Sequence, residues 1–172
     1  MTRSLAGAEV VVKGGKALDS ALLLDLARVA ETFGLARLTW GDETVALRAM
    51  PMQRMGRALV APPPGAFLQA TAEGESALLQ AVALAIGAAR KVVDLFAGSG
   101  TFSIPLAERA EVHAVEGEAT MTAALEKGAR NAEGLKRLTV ETRDLFRRPL
   151  EPDEFKGVEA VVIDPPRAGA EA

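Results

Sequence analysis

The segment from Asp94 to Phe102 (Asp-Leu-Phe-Ala-Gly-Ser-Gly-Thr-Phe) constrains the fold of this chain more than any other part of it. It reads as a buried strand that ends in an acid, followed by a glycine-rich turn and the start of a helix. Gly98 and Gly100 lack a Cβ and tolerate positive φ, so the backbone there can turn tightly and approach a ligand closely. The helix that follows is expected to direct its free N–H groups and its positive dipole end toward the same ligand. The segment therefore predicts a strand–turn–helix unit that binds a ligand.

The rest of the C-terminal part alternates between short apolar strands and helices. This alternation predicts an α/β fold with a parallel sheet covered by helices. The expected strands are 91–96, 111–116, 137–142 and 158–163, and the expected helices are 73–89, 101–109 and 119–132.

The N-terminal part has a different pattern and is predicted to form a small α+β domain over residues 1–60. A strand is expected over 9–13, and Asp19 or Ser20 is a good N-cap for a helix that runs to Thr32. The segment Ala61-Pro-Pro-Pro-Gly65 is extended and poor in hydrogen-bond donors, which is typical of a domain boundary. We therefore expect a second domain over residues 61–172. Further short strands are expected over 35–40, 44–49 and 57–60.

Composition excludes several classes of function. The net charge is −3, with 20 basic and 23 acidic residues. The chain therefore lacks the strong excess of basic residues found in proteins that bind nucleic acid through charge alone. It contains no cysteine, which excludes disulfides, thiolate metal sites and cysteine nucleophiles within it, and no metal site is predicted. No apolar run reaches the roughly 18–20 residues of a membrane span. A cytoplasmic protein without membrane contact is the expectation.

Acidic residues follow the expected strands and indicate the kind of ligand. Glu116 ends the second strand of the sheet, where a carboxylate can accept hydrogen bonds from both ribose hydroxyls of a nucleoside. Asp144 follows the third strand and is placed to contact an adenine amino group. Asp94 suits a cationic amino-acid ligand better than a pyrophosphate. The dinucleotide pattern Gly-x-Gly-x-x-Gly is incomplete, because Ser103 occupies its third glycine position. Together these features indicate S-adenosylmethionine.

A fourth motif, Asp164-Pro-Pro-Arg167, follows the last strand. Two prolines make the backbone rigid and hold Asp164 over the edge of the sheet. Amino-directed adenine or glutamine methyltransferases typically have an aromatic residue after the prolines. This chain has Arg167, which suits phosphate or carboxylate binding.

With these motifs the chain resembles the RNA uracil-C5 methyltransferases, which make 5-methyluridine in ribosomal or transfer RNA. The discriminating match is Phe67-Leu-Gln69 before the first helix of the second domain, and Asp94–Phe102, Ala114-Val-Glu116 and Asp164–Gly169 also match. The resemblance implies a Rossmann-like class I methyltransferase sheet, S-adenosylmethionine as cofactor and RNA as partner. It also implies that residues 1–60 correspond to the family's central RNA-contacting subdomain.

The resemblance implies a role for individual residues. Asp164 is expected between the cofactor and the target base, and Arg167 is assigned with it to the catalytic set. The residues expected around the cofactor are Gln69, Asp94, Phe96, Gly98, Gly100, Thr101, Phe102, Glu116, Asp144 and Asp164.

The chemistry of uracil requires groups that this chain lacks. Carbon 5 of uracil is a poor nucleophile until a thiolate adds to carbon 6, and a base must then remove the carbon-5 proton. The family supplies that cysteine and a glutamate base downstream of the Asp-Pro-Pro-Arg motif. We therefore expect this chain to be a fragment that carries the cofactor half-site and is inactive alone. The strand over 158–163 would then present an open edge at which copies self-associate.

Two other functions remain open from the sequence. One is a different class I methyltransferase, acting on carbon 5 of cytosine in RNA or on guanine in ribosomal RNA. The other is a nucleotide-binding module without catalysis, such as an NAD(H) binder.

Overall fold

The computed structural model describes residues 1–166 and Gly169, and the chain forms two compact units. The first comprises Met1–Gln53 and Ala61–Gly65, and the second comprises Arg54–Val60 and the chain from Ala66 onward. The residues 54–60 therefore pack within the second unit. The division into domains at residue 60 stays a prediction.

The first unit is a four-stranded sheet with one helix. The order of the strands is β1-β2-β3-β4, with β2 and β3 parallel and the outer pairs antiparallel. The side chain of Asp19 accepts a hydrogen bond from the backbone N–H of Leu22 and caps α1 as its sequence predicts. A small core forms around Ala30, Leu35 and Leu38. The elements are β1 (Thr2–Ser4), β2 (Gly7–Val12), α1 (Ser20–Thr32), β3 (Arg37–Trp40) and β4 (Glu43–Leu47).

The second unit contains the parallel sheet that the alternating pattern predicts. The order of its strands is β10-β7-β8-β9, and all three pairings are parallel. A short hairpin, β5 (Gln53–Met55) and β6 (Ala58–Val60), precedes it along the chain, and a 3-10 helix spans Pro152–Phe155. The other elements are α2 (Ala72–Ile86), β7 (Lys91–Leu95), α3 (Ser103–Ala107), β8 (Glu111–Glu116), α4 (Ala119–Arg130), β9 (Leu138–Thr142) and β10 (Ala160–Ile163).

Two groups of buried apolar side chains hold this sheet. Ile104 and Leu125, both fully buried, pack with Val60 of the hairpin. Val92 and Leu106 belong to the other group, against which side chains of α2 pack. Burial of this apolar surface is the main force that fixes the carboxyl ends of the strands relative to one another.

The helix α3 is shorter than its sequence predicts, spanning Ser103–Ala107 instead of 101–109. Pro105 explains part of the difference, because its ring nitrogen cannot donate a hydrogen bond to the carbonyl of Thr101. The turn is nevertheless continuous with the helix, since the N–H of Ile104 donates to the carbonyl of Gly100 at 3.1 Å.

The strand β10 lies at one edge of the sheet, and within the described residues no strand pairs with its outer side. Val161 and Ile163 on this strand are 42% and 55% exposed. Self-association at this edge stays a prediction. None of the helices in the described part of the chain is long and apolar enough to cross a membrane.

Candidate functional site

A cavity of about 760 Å³ opens in the second unit where the parallel strands end. Ligands of open α/β sheets bind outside the carboxyl ends of the strands, and the cavity lies at that position. Eight of the residues that the sequence assigned to the site line it: Gln69, Phe96, Gly98, Thr101, Phe102, Glu116, Asp144 and Asp164. Asp94 and Gly100 do not line the cavity but belong to the strand and turn beneath it.

The glycine-rich turn is held in place by the neighbouring strand. The N–H of Ala97 donates to the carbonyl of Val115 at 3.1 Å, so the turn stays attached to the end of β8. Gly100 has φ +99°, and a Cβ on it would lie 2.9 Å from Cγ of Leu125. A glycine is therefore required there for both conformation and space, as the sequence indicated.

Glu116 is oriented by the backbone. Its Oε2 accepts a hydrogen bond from the N–H of Gly98 at 2.9 Å, and its Oε1 accepts one from the N–H of Glu118 at 2.9 Å. Each carboxylate oxygen keeps a further acceptor position. The side chain is half-buried and lines the cavity, so it presents a fixed pair of acceptors to a ligand.

Asp94 is completely buried below the cavity. Its Oδ2 accepts a hydrogen bond from the hydroxyl of Ser103 at 2.5 Å, whereas its Oδ1 has no hydrogen-bond partner. The pKa of this carboxyl is raised from 3.8 to about 7. Burial is the main cause and the negative charges of Asp164 and Glu116 add to it, while the hydrogen bonds from Ser103 oppose the change. Asp94 is thus the buried member of a group of three carboxyls that repel one another.

Asp144 and Asp164 complete the acidic lining. Oδ1 of Asp144 accepts hydrogen bonds from the N–H groups of Phe146 at 3.0 Å and Arg147 at 3.3 Å, which fixes the turn after β9. Asp164 is exposed, and its backbone N–H lies 3.4 Å from the carbonyl of Leu95. Arg167, the remaining residue assigned to catalysis, lies outside the described residues.

The charged side chains among the described lining residues of the cavity are all acidic. Glu116, Asp144 and Asp164 line it, and no lysine, arginine or histidine is found among its described lining residues. Beside the lining residues, Nε of the exposed Arg147 lies 3.4 Å from Oδ2 of Asp144. A pyrophosphate would also meet the carboxylates of Glu116 and Asp164, which would repel it. A ligand with positive charge and hydroxyl groups fits the same lining.

Sequence reasoning missed the apolar side of the cavity, to which Leu145, Phe146 and Met121 contribute. The hydroxyl of Ser99 donates to the sulfur of Met121 at 3.0 Å, and the rings of Phe96 and Phe146 lie 5.5 Å apart. The sequence signal for this side was local: Leu145 and Phe146 are apolar residues that directly follow Asp144 in the turn after β9.

Comparison with known proteins shows to which family this chain belongs. A protein of Mesorhizobium japonicum, named an uncharacterized RNA methyltransferase, is 51% identical over 148 residues, which is 84% of this chain and 36% of that protein. The chain therefore belongs to the same family of RNA methyltransferases as this relative. It spans little more than a third of that relative's length. A scan against models of protein families finds no match.

A second relative has a more specific name. It is a 23S ribosomal RNA uracil-C5 methyltransferase of Chromohalobacter salexigens, 41% identical over 113 residues, 63% of this chain and 23% of that protein. The resemblance to this family, which the motifs indicated, is confirmed.

A solved structure confirms the fold class. The tRNA uracil-54 C5-methyltransferase of Pyrococcus abyssi, in complex with S-adenosyl-L-homocysteine, superposes with a TM-score of 0.67. The superposition covers 98% of this chain and 43% of that one at 19% identity. The methyltransferase-like α/β fold expected from the sequence is therefore present in this chain.

Proposed function

We propose that this chain is the S-adenosylmethionine-binding part of an RNA methyltransferase. The observation that carries the proposal is the acidic lining of the cavity, which has three carboxylates and no cation among its described residues. S-Adenosylmethionine has a sulfonium and an ammonium group, and its ribose hydroxyls are donors for a carboxylate. The names of the homologues support the same assignment.

The residues present fit this cofactor. Glu116, whose two oxygens are oriented by backbone N–H groups, is placed to accept the ribose hydroxyls. Asp144 is placed for the adenine amino group, and Gln69 and Asp164 remain for the amino-acid end and the methyl group. The carboxyl of Asp94, whose Oδ1 has no hydrogen-bond partner, lies below and adds negative potential in its ionised form, which its raised pKa of about 7 restricts to neutral and higher pH. Bound there, the cofactor supplies an electrophilic methyl group.

We further propose that the target is carbon 5 of a uridine in ribosomal or transfer RNA. The relatives from Chromohalobacter and Pyrococcus have this activity in their names, and Phe67-Leu-Gln69 with Asp164-Pro-Pro-Arg167 is the matching sequence pattern. In this proposal Asp164, held by its prolines, separates the cofactor from the base, while Arg167 binds a phosphate or carboxylate. The first unit contacts RNA.

The proposal includes a limit on catalysis. Uracil requires a thiolate nucleophile, and the chain has no cysteine. We therefore expect no methyl transfer to uridine-containing RNA by the 172-residue chain. Methylation by this chain alone would contradict the proposed thiolate mechanism.

Calorimetric titration of the 172-residue chain with S-adenosylhomocysteine tests the cofactor assignment, with NADH as the control ligand. Saturable binding of S-adenosylhomocysteine without binding of NADH is the expected result. Binding of NADH in its place would favour the nucleotide-binding module and would contradict the argument from the acidic lining of the cavity. A folded sample that binds neither ligand would contradict the proposal.

The target base is tested with a longer protein that contains this chain, acting on RNA transcribed in vitro that carries no modified nucleosides. Digestion and mass spectrometry of the nucleosides are expected to show 5-methyluridine. Formation of 5-methylcytidine or of a methylated guanosine would replace the uridine assignment with one of the two alternatives from the sequence.

A further inference from the structure

Asp94 is a carboxyl below the cavity that does not itself line it. It is completely buried on β7, and the hydroxyl of Ser103 donates to its Oδ2 while its Oδ1 has no hydrogen-bond partner. An ionised carboxylate can accept about four hydrogen bonds, and burying its charge without them is unfavourable. The geometry of the side chain therefore favours a protonated Asp94.

The groups that face Asp94 come from three elements. Glu116 at the end of β8 and Asp164 after β10 both raise its pKa through their negative charges, whereas Ser103 on α3 supplies the hydrogen bonds that lower it. The imidazole of His113, also on β8, contacts a carboxylate of β9 at 3.4 Å instead. Within the part of the chain that the structure describes, no cation forms an ion pair with Asp94. Its negative charge is therefore opposed by its neighbours as well as by burial.

A positively charged ligand in the cavity would reverse this balance, because Glu116 and Asp164 line the cavity. Positive charge beside them offsets the repulsion that they exert on Asp94, and it also attracts the ionised form of Asp94 directly. At a distance of about 10 Å and an effective dielectric constant of about 20, one unit charge changes the pKa of a carboxyl by about one, which is a tenfold change in affinity. This effect requires no contact between the ligand and Asp94.

We propose that Asp94 is a specificity-determining residue that couples binding of the methyl donor to release of a proton, and this inference rests on the proposed function. The O–H bond of the carboxyl breaks, the proton goes to the buffer, and the carboxylate remains beneath the positively charged ligand. S-Adenosylhomocysteine lacks the sulfonium charge, so its binding favours the ionised form less. The chain therefore binds the methyl donor in preference to the demethylated product, and this preference increases as the pH rises and Asp94 ionises.

Calorimetric titration of the 172-residue chain measures the coupling. Each titration is repeated in buffers of different ionisation enthalpy, because the dependence of the observed enthalpy on the buffer gives the number of protons released. The ligands are S-adenosylmethionine and S-adenosylhomocysteine, at intervals of half a pH unit from 5.5 to 8. The wild type is compared with Asp94→Asn, which cannot ionise, and with the control Glu126→Gln, which removes an exposed carboxyl of α4.

The expected result at pH 6.5 is release of about half a proton for each S-adenosylmethionine bound by the wild type and by Glu126→Gln, and none by Asp94→Asn. The Kd of the wild type for S-adenosylmethionine should fall about five- to tenfold from pH 5.5 to pH 8, and the Kd for S-adenosylhomocysteine should fall less. The amino group of the ligand titrates near pH 8 and contributes equally in all the proteins.

A further variant, Ser103→Ala, tests the same coupling with the carboxyl of Asp94 in place. It removes the side-chain hydrogen bond that favours the ionised form, so the change in Kd should move to higher pH. If Asp94→Asn binds neither ligand, this variant decides the matter, and a pH profile equal to that of the wild type would overturn the coupling.

Two other outcomes overturn the coupling while leaving the proposed function intact. One is proton release by Asp94→Asn equal to that of the wild type. The other is the same pH dependence of the Kd for both ligands in the wild type, which would mean that Asp94 does not distinguish them. Failure of the wild-type chain to bind either ligand would overturn the proposed function and the coupling together.

Discussion

The protonation of Asp94 makes a sharp prediction about stability, because this carboxyl is fully buried and has one oxygen without a partner. Its pKa is raised from 3.8 to about 7 in the folded chain, mainly by burial. Between these two values the folded state holds a proton that the unfolded state has lost. The contribution of Asp94 to stability is therefore most favourable below about pH 4 and falls by about 1.4 kcal/mol for each pH unit between its unfolded and folded pKa values. Above pH 7 this contribution is constant.

The perturbation is Asp94→Asn, which keeps the shape, removes the charge and leaves an amide oxygen to accept the hydrogen bond from Ser103. Other groups titrate in both proteins, so the difference between the two unfolding free energies isolates Asp94. We expect the variant to gain about 2 kcal/mol relative to the wild type between pH 5 and pH 7, because the slope flattens as the pH approaches the folded pKa. The assay is urea denaturation followed by far-UV circular dichroism at intervals of half a pH unit from 5 to 8.

A second variant checks the cause of the shift. The hydrogen bond from Ser103 lowers the pKa of Asp94, so Ser103→Ala should raise that pKa and extend the fall in stability to higher pH. Parallel curves for the wild type and Asp94→Asn across pH 5 to 8 would refute the reasoning, since they would mean that Asp94 has the same charge in the folded and unfolded states.

Three further substitutions, two of them with a matched control variant, test the site and its support. Glu116→Gln should raise the Kd for S-adenosylhomocysteine by about ten- to a hundredfold in calorimetry, because one fixed acceptor is lost; unchanged affinity would remove Glu116 from the ribose site. Gly100→Ala should lower the free energy of unfolding by about 2–3 kcal/mol through backbone strain and overlap with Leu125, measured by urea denaturation. Gly98 also has positive φ but open space around it, so the control Gly98→Ala should lower the free energy of unfolding by only about 1 kcal/mol. Leu125→Ala should lower the free energy of unfolding by about 2–5 kcal/mol, because it leaves a cavity in the core. The control Leu84→Ala, at an 82% exposed position, should change it little. Equal effects of the two substitutions would contradict the assigned core.

The elements that sequence reasoning predicted well share a local cause. The strand before Asp94 and the helix capped by Asp19 are specified by apolar periodicity and by residues that begin or end an element. The strand Thr2–Ser4 was missed, because its polar residues carry no strand pattern and it forms by pairing antiparallel with β2. Its pairing partner, and not its own composition, decides its structure.

The same distinction applies to the site. Gly98 and Glu116 were assigned from their positions after strands, and they are found together because parallel strands end at one edge of the sheet. The assignment of each of these residues to the cofactor stays a prediction. That Asp94 lies beneath the cavity with no exposed surface was not predictable, because its burial depends on how α3 and the neighbouring strands cover it.

The sequence by itself determined the α/β class, the position of the acidic residues at the strand ends and thereby the acidic lining of the cavity. These follow from short patterns in which each residue acts near its own position. Only the tertiary structure decided the order β10-β7-β8-β9, the absence of basic residues from the described lining of the cavity and the contact between Phe96 and Phe146. These features join residues far apart along the chain, such as Val92 and Ala160, which pair across β7 and β10 at a separation of 68 positions. They depend on which strands pair and how the helices pack, and short sequence patterns do not encode either.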